Sequence, residues 1–373
     1  MAKLSFNGNT SQTLGVELEL GIIDENTLDL TSASNQILER LQETAPESNC
    51  YKHELVQSCV EVISGVCSNV GEIQDDLGGK LVHLREAAGH CGAKLWWAGT
   101  HPFSFWENQH TTEDPRYISL VKLLQQMARR LVTFGMHVHV GVDSGDKAVM
   151  ICDRIMQHLP TLLALSASSP YWQNQDTGLE SYRTKLMEGL PTAGLPSLMR
   201  NWSEYVWLVN HMIDTGFINS IREIWWDVRP HHNFGTVEVR MCDMPGSMDH
   251  VLALTALVQC LVNFLSDEID EGAYQFDCHP MMVRQNKWRA ARYGIDARLV
   301  DARDYRVVPV RETVNTLVDQ LQGISQDLGC ESELLLVKEI TAGASFATRQ
   351  REILSRSGDP KSIVSELCDP CLS

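Results

Sequence analysis

Gly15-Val-Glu-Leu-Glu-Leu20 alternates apolar and acidic residues with a period of two. As a β-strand it places Glu17 and Glu19 on one face and Val16, Leu18 and Leu20 on the other. The backbones of the two glutamates then stand about 7 Å apart. At an effective dielectric of about 20, two charges at that separation repel by roughly 2.4 kcal/mol. A half-buried pair of this kind calls for a cation or a proton. An amphipathic strand whose acidic face is wet has the same pattern, so the pair alone does not decide between them.

Phe134-Gly-Met-His-Val-His-Val-Gly141 repeats the device with imidazoles. His137 and His139 share a face, while Met136, Val138 and Val140 point the other way. Two histidines at this spacing can ligate one metal, divide into a ligand and a phosphate contact, or serve as hydrogen-bonded core residues. In Gly235-Thr-Val-Glu-Val-Arg-Met241, Glu238 and Arg240 share a face over Val237, Val239 and Met241, an arrangement that a plain cross-strand ion pair also explains. Upstream, Trp225, Asp227 and Arg229 share parity, so a further cation can approach the same surface. In His53-Glu-Leu-Val-Gln-Ser-Cys-Val-Glu61 the acids Glu54 and Glu61 are seven apart, which puts them on opposite faces of a regular strand. Either a bulge separates them or Glu54 lies in the loop entering the strand.

Period-two segments cover residues 13–24, 51–64, 93–101, 134–142 and 224–241. Helical patterns cover 34–45, 69–91, 115–131, 146–167, 198–213, 247–268, 280–293 and 310–328. Without strict strand–helix alternation, these elements predict an α+β fold with an antiparallel sheet, one face on helices and the other free for chemistry. No linker, low-complexity tract or repeat divides the 373 residues, and 43% hydrophobic content fills a sizeable core. The 31 basic and 48 acidic side chains give a net charge of −17. That charge opposes binding to nucleic acid or to an anionic membrane. The eleven scattered cysteines read as reduced thiols, and the N-terminus lacks the apolar core of a secretion signal, so a cytoplasmic protein is expected. Residues 251–265, apolar but too short to span a bilayer, read as a buried helix.

Acids, imidazole and guanidinium on one open sheet suit Mg²⁺ or Mn²⁺ better than zinc. Such ions with arginines form a clamp for nucleotide phosphates. No Walker-A or Gly-x-Gly-x-x-Gly loop is present, so metals and side chains have to hold those phosphates.

In this order the segments resemble the glutamate-cysteine ligase type 2 family, the YbdK-type carboxylate-amine ligases of bacteria. The resemblance runs from Thr13 to about Gly294. It also takes in Gly99-Thr-His-Pro-Phe103, Leu165-Ser-Ala-Ser-Ser-Pro-Tyr171 and Trp226-Asp-Val-Arg-Pro230. It implies a single catalytic domain over 1–373, with a core at about 13–294 and a helical part at about 295–373. The implied architecture is a glutamine-synthetase-like antiparallel bowl with helices on its outer face. Glu17, His137 and Glu238 look like ligands of the ion bridging the nucleotide phosphates, and Glu19, Glu54 and Glu61 like those of the ion near the amino-acid carboxylate. His139 would face the phosphates, and Arg240 the transferred phosphoryl group. Arg183 is a candidate for the substrate α-carboxylate or a solvated loop arginine. Asn286 and Arg292 reach the site or are helix surface, and Thr100 and His101 shape the rim. His231 and His232 are read as loop residues. Gln57 stands where an acid is expected in relatives. Cys368 and Cys371 are assigned no function.

The resemblance further implies catalysis by Arg240, Glu238 and Glu17, with ATP and Mg²⁺ (or Mn²⁺) as cofactors. The implied substrates are L-glutamate and an amine such as L-cysteine, with a γ-glutamyl phosphate intermediate, a place in glutathione biosynthesis, and a homodimer. Rival readings are the same ligase chemistry on another amine or acid, a metal-dependent hydrolase on the same face, and a silent metal or nucleotide binder.

Overall fold

The computed structural model describes residues 4–9, 13–45, 47–273 and 278–369. Its main sheet has seven strands: β1 (Leu14–Asp24), β2 (Tyr51–His53), β3 (Cys59–Ile63), β4 (Ala93–Trp96), β5 (Gly135–Gly141), β6 (Val228–His231) and β7 (Thr236–Asp243). All pairings are antiparallel, in the order β6-β7-β5-β1-β3-β2. β1 lies at the centre and is longer than any one neighbour. Its Glu17 and Leu18 pair with both β3 and β5, and its Gly21 pairs with both β3 and β4. β5 and β4 therefore follow one another along one edge of β1, with β3 on the other.

Period two decides which face is buried. Leu14, Val16, Leu18 and Leu20 are sealed in the core, as are Met136, Val138, Val140, Val237 and Val239 on the flanking strands. Behind that face lie α2 (Val70–His90), α5 (Gly145–Ile155), α6 (Leu159–Ser166) and α9 (Met248–Asp270). α9 is long and apolar enough to cross a membrane, yet 78% of its apolar window is buried inside the fold. It packs on β5, α2 and α5, and α11 (Val310–Asp327) and α12 (Glu331–Ala342) cover its outer side. The remaining helices are α1 (Ser34–Thr44), α3 (Pro115–Leu124), α4 (Gln126–Arg129), α7 (Arg183–Met187), α8 (Trp202–Asp214), α10 (Pro280–Tyr293), α13 (Phe346–Ser357) and α14 (Lys361–Leu367). The α+β class with an antiparallel sheet is as expected.

Several expected elements are divided. The strand expected over 51–64 reverses direction: residues 54–58 leave the sheet, and β2 returns on β3 with Lys52 opposite Glu61. The strand expected over 224–241 becomes a short ribbon at Trp225–Trp226 and the β6–β7 hairpin. The helix expected over 146–167 breaks ahead of Pro160, whose ring and missing N–H are tolerated only in the first turn of α6. The one expected over 115–131 breaks at Gln125, where φ is +52°. The strand expected over 93–101 ends at Trp96. The C-terminal part also holds a small ribbon, Arg298–Val300 with Val307–Pro309.

β7 carries a bulge. Val239 faces Val138, but Cys242 faces Met136, so one extra residue lies between them on β7. Past the bulge the faces exchange. Asp243 pairs with Gly135 on the polar face, where an unbroken strand would have turned it toward the helices.

Leu257, fully buried on α9, should lose about 2–5 kcal/mol on substitution by alanine. Trp207→Ala, at an exposed position on α8, should change stability by less than about 0.5 kcal/mol. Urea denaturation of the two variants checks the contrast.

Candidate active site

Residues opposite one another in an antiparallel pair point to the same face. The register therefore assembles one polar surface: Glu17 faces His137, Glu19 faces Glu61, His139 faces Glu238, and Glu238 faces Arg229. His137 donates from Nδ1 to Glu17 Oε2 at 2.9 Å, and its Nε2 lies 3.7 Å from Glu19 Oε1. The Gly135 amide donates to Glu19 Oε2 at 2.6 Å. Arg229 grips Glu238 through both Nε (2.7 Å) and Nη2 (3.3 Å), and Arg240 donates to the same carboxylate.

The carboxyl groups divide into two electrostatic kinds. Burial alone would raise Glu238, but Arg229, Arg240 and the two histidines hold it well below the usual carboxylate range. Glu17 likewise resists burial through the hydrogen bond from His137 and the nearby charges of His139 and His137 and stays ionised. Burial lowers His139, yet Glu238 and Glu17 bring it above the ordinary imidazole value. Glu54 goes the other way: burial and then the charge of Glu19 push it up to about 8. Burial and the charges of Glu17, Glu54 and Glu19 also raise Glu61 well above its usual value.

Two donor sets have ligand atoms within 4.8 Å of one another: Glu17, His139 and Glu238, and Glu17, Glu61 and His137. Within the first set, His139 Nδ1 is engaged with Thr236 Oγ1 at 3.0 Å, and its buried Nε2 has no hydrogen-bond partner. That orphaned nitrogen stands 3.4 Å from Glu17 Oε1 and 3.8 Å from Glu238 Oε1. A buried nitrogen left unpaired between two carboxylates fits a cation, and oxygen ligands with one imidazole suit Mg²⁺ or Mn²⁺.

Over this face lies a cavity of about 360 Å³. Its floor is the ionisable surface. One wall is aliphatic, with Leu120, Leu131, Met187 and Leu190; another is aromatic and cationic, with Trp226, His231, Phe234 and Arg222. Arg183, 3% exposed, also lines the cavity, its guanidinium laid over Gly135 and donating from Nη1 to the Met241 carbonyl at 3.2 Å. A Cβ on Gly135 would fall inside that guanidinium. A larger cavity of about 490 Å³ lies elsewhere, between Arg154, Leu198 and Met281, away from the ionisable surface.

The profile of Glutamate-cysteine ligase family 2 matches residues 13–368. The chain belongs to this family. A relative from Gloeobacter violaceus, named "Putative glutamate--cysteine ligase 2", is 42% identical over 364 residues and 98% of each chain. One from Frankia casuarinae with the corresponding name is 44% identical over 359 residues, 95% of this chain and 94% of its own. Among solved structures, a glutamate–cysteine ligase from Francisella tularensis in complex with AMP shares the fold at a TM-score of 0.73 and 13% identity, covering 97% of this chain and 88% of that one. A bifunctional glutathione synthetase from Pasteurella multocida aligns at 0.64 and 13% identity, over 95% of this chain and 49% of its own.

In this family member, Glu17, Glu19, Glu54, Glu61, His137, Arg183 and Arg240 all line the cavity. Glu238 and His139 sit beneath it, beside Glu17. The close grouping joins Glu238 to His139, whereas the resemblance had grouped it with His137. Arg183 opens α7 and is buried, so it is no solvated loop residue. Glu54 lies in the turn between β2 and β3, which is how it reaches the same side as Glu61 despite the odd spacing. Gln57 donates from Nε2 to the Thr111 carbonyl, a bond that the expected acid could not make. Thr100, Asn286 and Arg292 are not in the cavity lining: Thr100 donates to Tyr171 O, Asn286 ties α10 to Val300, and Arg292 lies over Tyr293. His101 is buried against Leu28 O and Phe103. Cys368 is half-buried near the end of α14, and Cys371 lies outside the described residues. Lys52, Arg116, Arg222 and Phe234 line the cavity without having been singled out in the sequence, as does His231, which was read as a loop residue. Only the parity of Arg229 with Asp227 and Trp225 had signalled an additional cation.

With folded values above the unfolded one, Glu54 and Glu61 bind protons more tightly in the native state. Their contribution to stability is therefore full below the unfolded value of about 4.5; that of Glu54 is lost as pH rises toward about 8, and that of Glu61 is lost likewise as pH rises through its own raised value. A divalent cation has to displace the same protons. The thermal midpoint without added metal should fall between pH 6 and pH 8, Mn²⁺ should restore it, and Mn²⁺ affinity should rise by up to about tenfold per pH unit for each proton displaced. Calorimetric titrations in buffers of different ionisation enthalpy count those protons.

Proposed function

We propose that the chain is an ATP-dependent carboxylate–amine ligase that couples the γ-carboxylate of glutamate to an amine through a γ-glutamyl phosphate. Cysteine, the acceptor in its relatives' names, is the first amine to test. The observation that supports the reading is two cation-suited donor sets sharing Glu17 at the floor of the cavity that Arg229 and Arg240 also line.

A carboxylate is a poor electrophile because its oxygen leaves only with great difficulty. Transfer of the γ-phosphoryl group forms a carboxylate O–P bond, breaks the Pγ–O bond to ADP and creates a good leaving group. Glu17, Glu61, His137, His139 and Glu238 would hold Mg²⁺ or Mn²⁺, with Glu19 and Glu54 at the margin of the same cluster. Such ions supply charge neutralisation to the nucleotide phosphates. Arg240 and Arg229 offer guanidinium groups to the transferred phosphoryl group, where charge develops. Arg183, fixed over Gly135, binds the α-carboxylate of glutamate. The amine then attacks the acyl carbon: the C–N bond forms, the C–O bond to phosphate breaks, and a carboxylate of the same face takes the ammonium proton. The aliphatic wall shields the intermediate from water.

Phosphate release from ATP, Mg²⁺ and glutamate against a panel of amines, with mass detection, tests the proposal. Amine-stimulated release together with a γ-glutamyl product supports it, and absence of both for every amine refutes it. Arg240→Ala should lower kcat by roughly 10²–10³-fold with an unchanged circular dichroism spectrum. Gly135→Ala should displace Arg183 and raise KM for glutamate more than KM for ATP, which steady-state kinetics in each substrate resolves.

A further inference from the structure

The β6–β7 turn, His231 to Gly235, carries an aromatic stack that none of the proposed chemistry uses. The Phe234 ring lies on His231 with centroids 4.2 Å apart and planes 18° from parallel, and it is 58% exposed. Both rings line the cavity, and both stand edge-on to His139, at 5.7 and 5.5 Å. An apolar ring left largely open on a turn is ordinarily free to move. Here the N-terminal strap, residues 4–9, holds the backbone of its turn.

The strap engages the turn through its backbone groups. The Asn7 amide donates to His232 O (2.9 Å), Asn7 Nδ2 to Asn233 O (3.2 Å), and Asn9 Nδ2 to both Phe234 O (2.7 Å) and Gly235 O (2.9 Å). Gly235 has φ +65°, and a Cβ there would collide with the Asn7 carbonyl, so strap and turn meet backbone to backbone. Phe6 anchors the strap edge-on to Trp202 of α8, and the Asn9 amide donates to Val142 O (2.8 Å). A preorganised, partly exposed aromatic face therefore lines the cavity beside the histidine of a cation-suited cluster, in a lining that also holds Arg222, Arg229 and Arg240.

We infer that Phe234, backed by His231, is the platform on which the purine base of the nucleotide stacks, and that Asn7 and Asn9 of the N-terminal strap are its positioning residues. The inference rests on the proposed use of ATP and extends it to the base. A nucleobase is a flat π-system that gains from stacking on an aromatic face, and its phosphates need the cations and arginines next to that face. On the other side Arg116 and Tyr117 of α3 line the cavity with Leu120, but the Tyr117 ring is already covered by the Arg116 guanidinium and its hydroxyl is tied to the His53 carbonyl.

The test compares a ligand that has a base with one that lacks it. Isothermal titration measures MgADP and magnesium tripolyphosphate binding to the full chain, so no turnover is required. Phe234→Ala should weaken MgADP roughly tenfold and leave tripolyphosphate within about twofold, while Phe234→Tyr keeps wild-type affinity for both. Asn9→Ala should weaken MgADP by about threefold, again without affecting tripolyphosphate, with thermal melting to confirm a folded chain. Equal losses for both ligands in Phe234→Ala, or no loss for either, would overturn the inference. So would an increase confined to KM for the acid or the amine. If the wild type binds MgADP but forms no amide with any amine, the ligase reading fails while the platform is still decided by the same titrations.

Discussion

The structure turns on the crowding of like charge along one strand. Glu17 and Glu19 project from the centre of the sheet, Glu61 stands directly across from Glu19, and Glu54 enters from the adjoining turn. Four carboxyl groups on one partly buried surface cannot all ionise unaided. The surroundings divide them. On the β5 and β7 side, imidazoles and guanidinium groups keep Glu17 and Glu238 charged. On the β2 and β3 side, burial and the neighbouring carboxylates outweigh the charge of Arg240, and Glu54 and Glu61 retain protons. The sheet thus holds an ionised half and a protonated half side by side, with Glu17 belonging to both donor sets.

Keeping that surface in place is the task of the apolar elements. β1 is anchored on both edges, its buried face backed by α2, and α9 supports β5 from behind. A second scaffold holds the cavity's far side. Lys287 of α10, almost fully buried, bridges Asp227 (2.6 Å) and Glu188 (2.8 Å), joining three parts of the chain that have no strand in common. The main-chain carbonyl of Asp227 accepts the Arg240 amide. The path from α10 to the reactive arginine is therefore two residues long.

The polar surface was legible wherever a strand ran unbroken. Period two alone placed Glu17 with Glu19, His137 with His139, and Glu238 with Arg240, because alternation survives any register between strands. Parity stopped being informative where the chain left the ladder. The β2–β3 turn resolves the odd spacing of Glu54 and Glu61, and the sequence signals there allowed both a bulge and a loop. The walls were hardly legible at all. Lys52, Arg116, Arg222 and Phe234 come from a strand edge, a helix start and turns, where a charged or aromatic side chain looks like any other surface residue. Thr100, Asn286 and Arg292 show the converse, since proximity in a motif did not bring them into the cavity. His137 and His139 also show a limit: the pattern assigns both to one face but not the carboxylates each one meets, which depends on register.

The bulge in β7 lets an odd spacing serve one face of the sheet. Glu238 before it and Asp243 after it are five residues apart, and both face the polar side only because one residue between them is left out of the ladder. Asp243 there accepts hydrogen bonds from the Ser168 amide and from the hydroxyls of Ser169 and Ser181, and the Ser169 hydroxyl in turn receives the amide of Arg183. Removal of a single residue between Val239 and Cys242 would leave Glu238 and Asp243 four apart, the spacing at which a regular strand puts both on one face, so the bulge would vanish while the polar pair stayed in place. Were the ladder flattened with every residue kept, the Asp243 carboxyl would turn into the apolar layer and the Cys242 thiol to the polar one, so this kink can be lost only together with one residue of the strand.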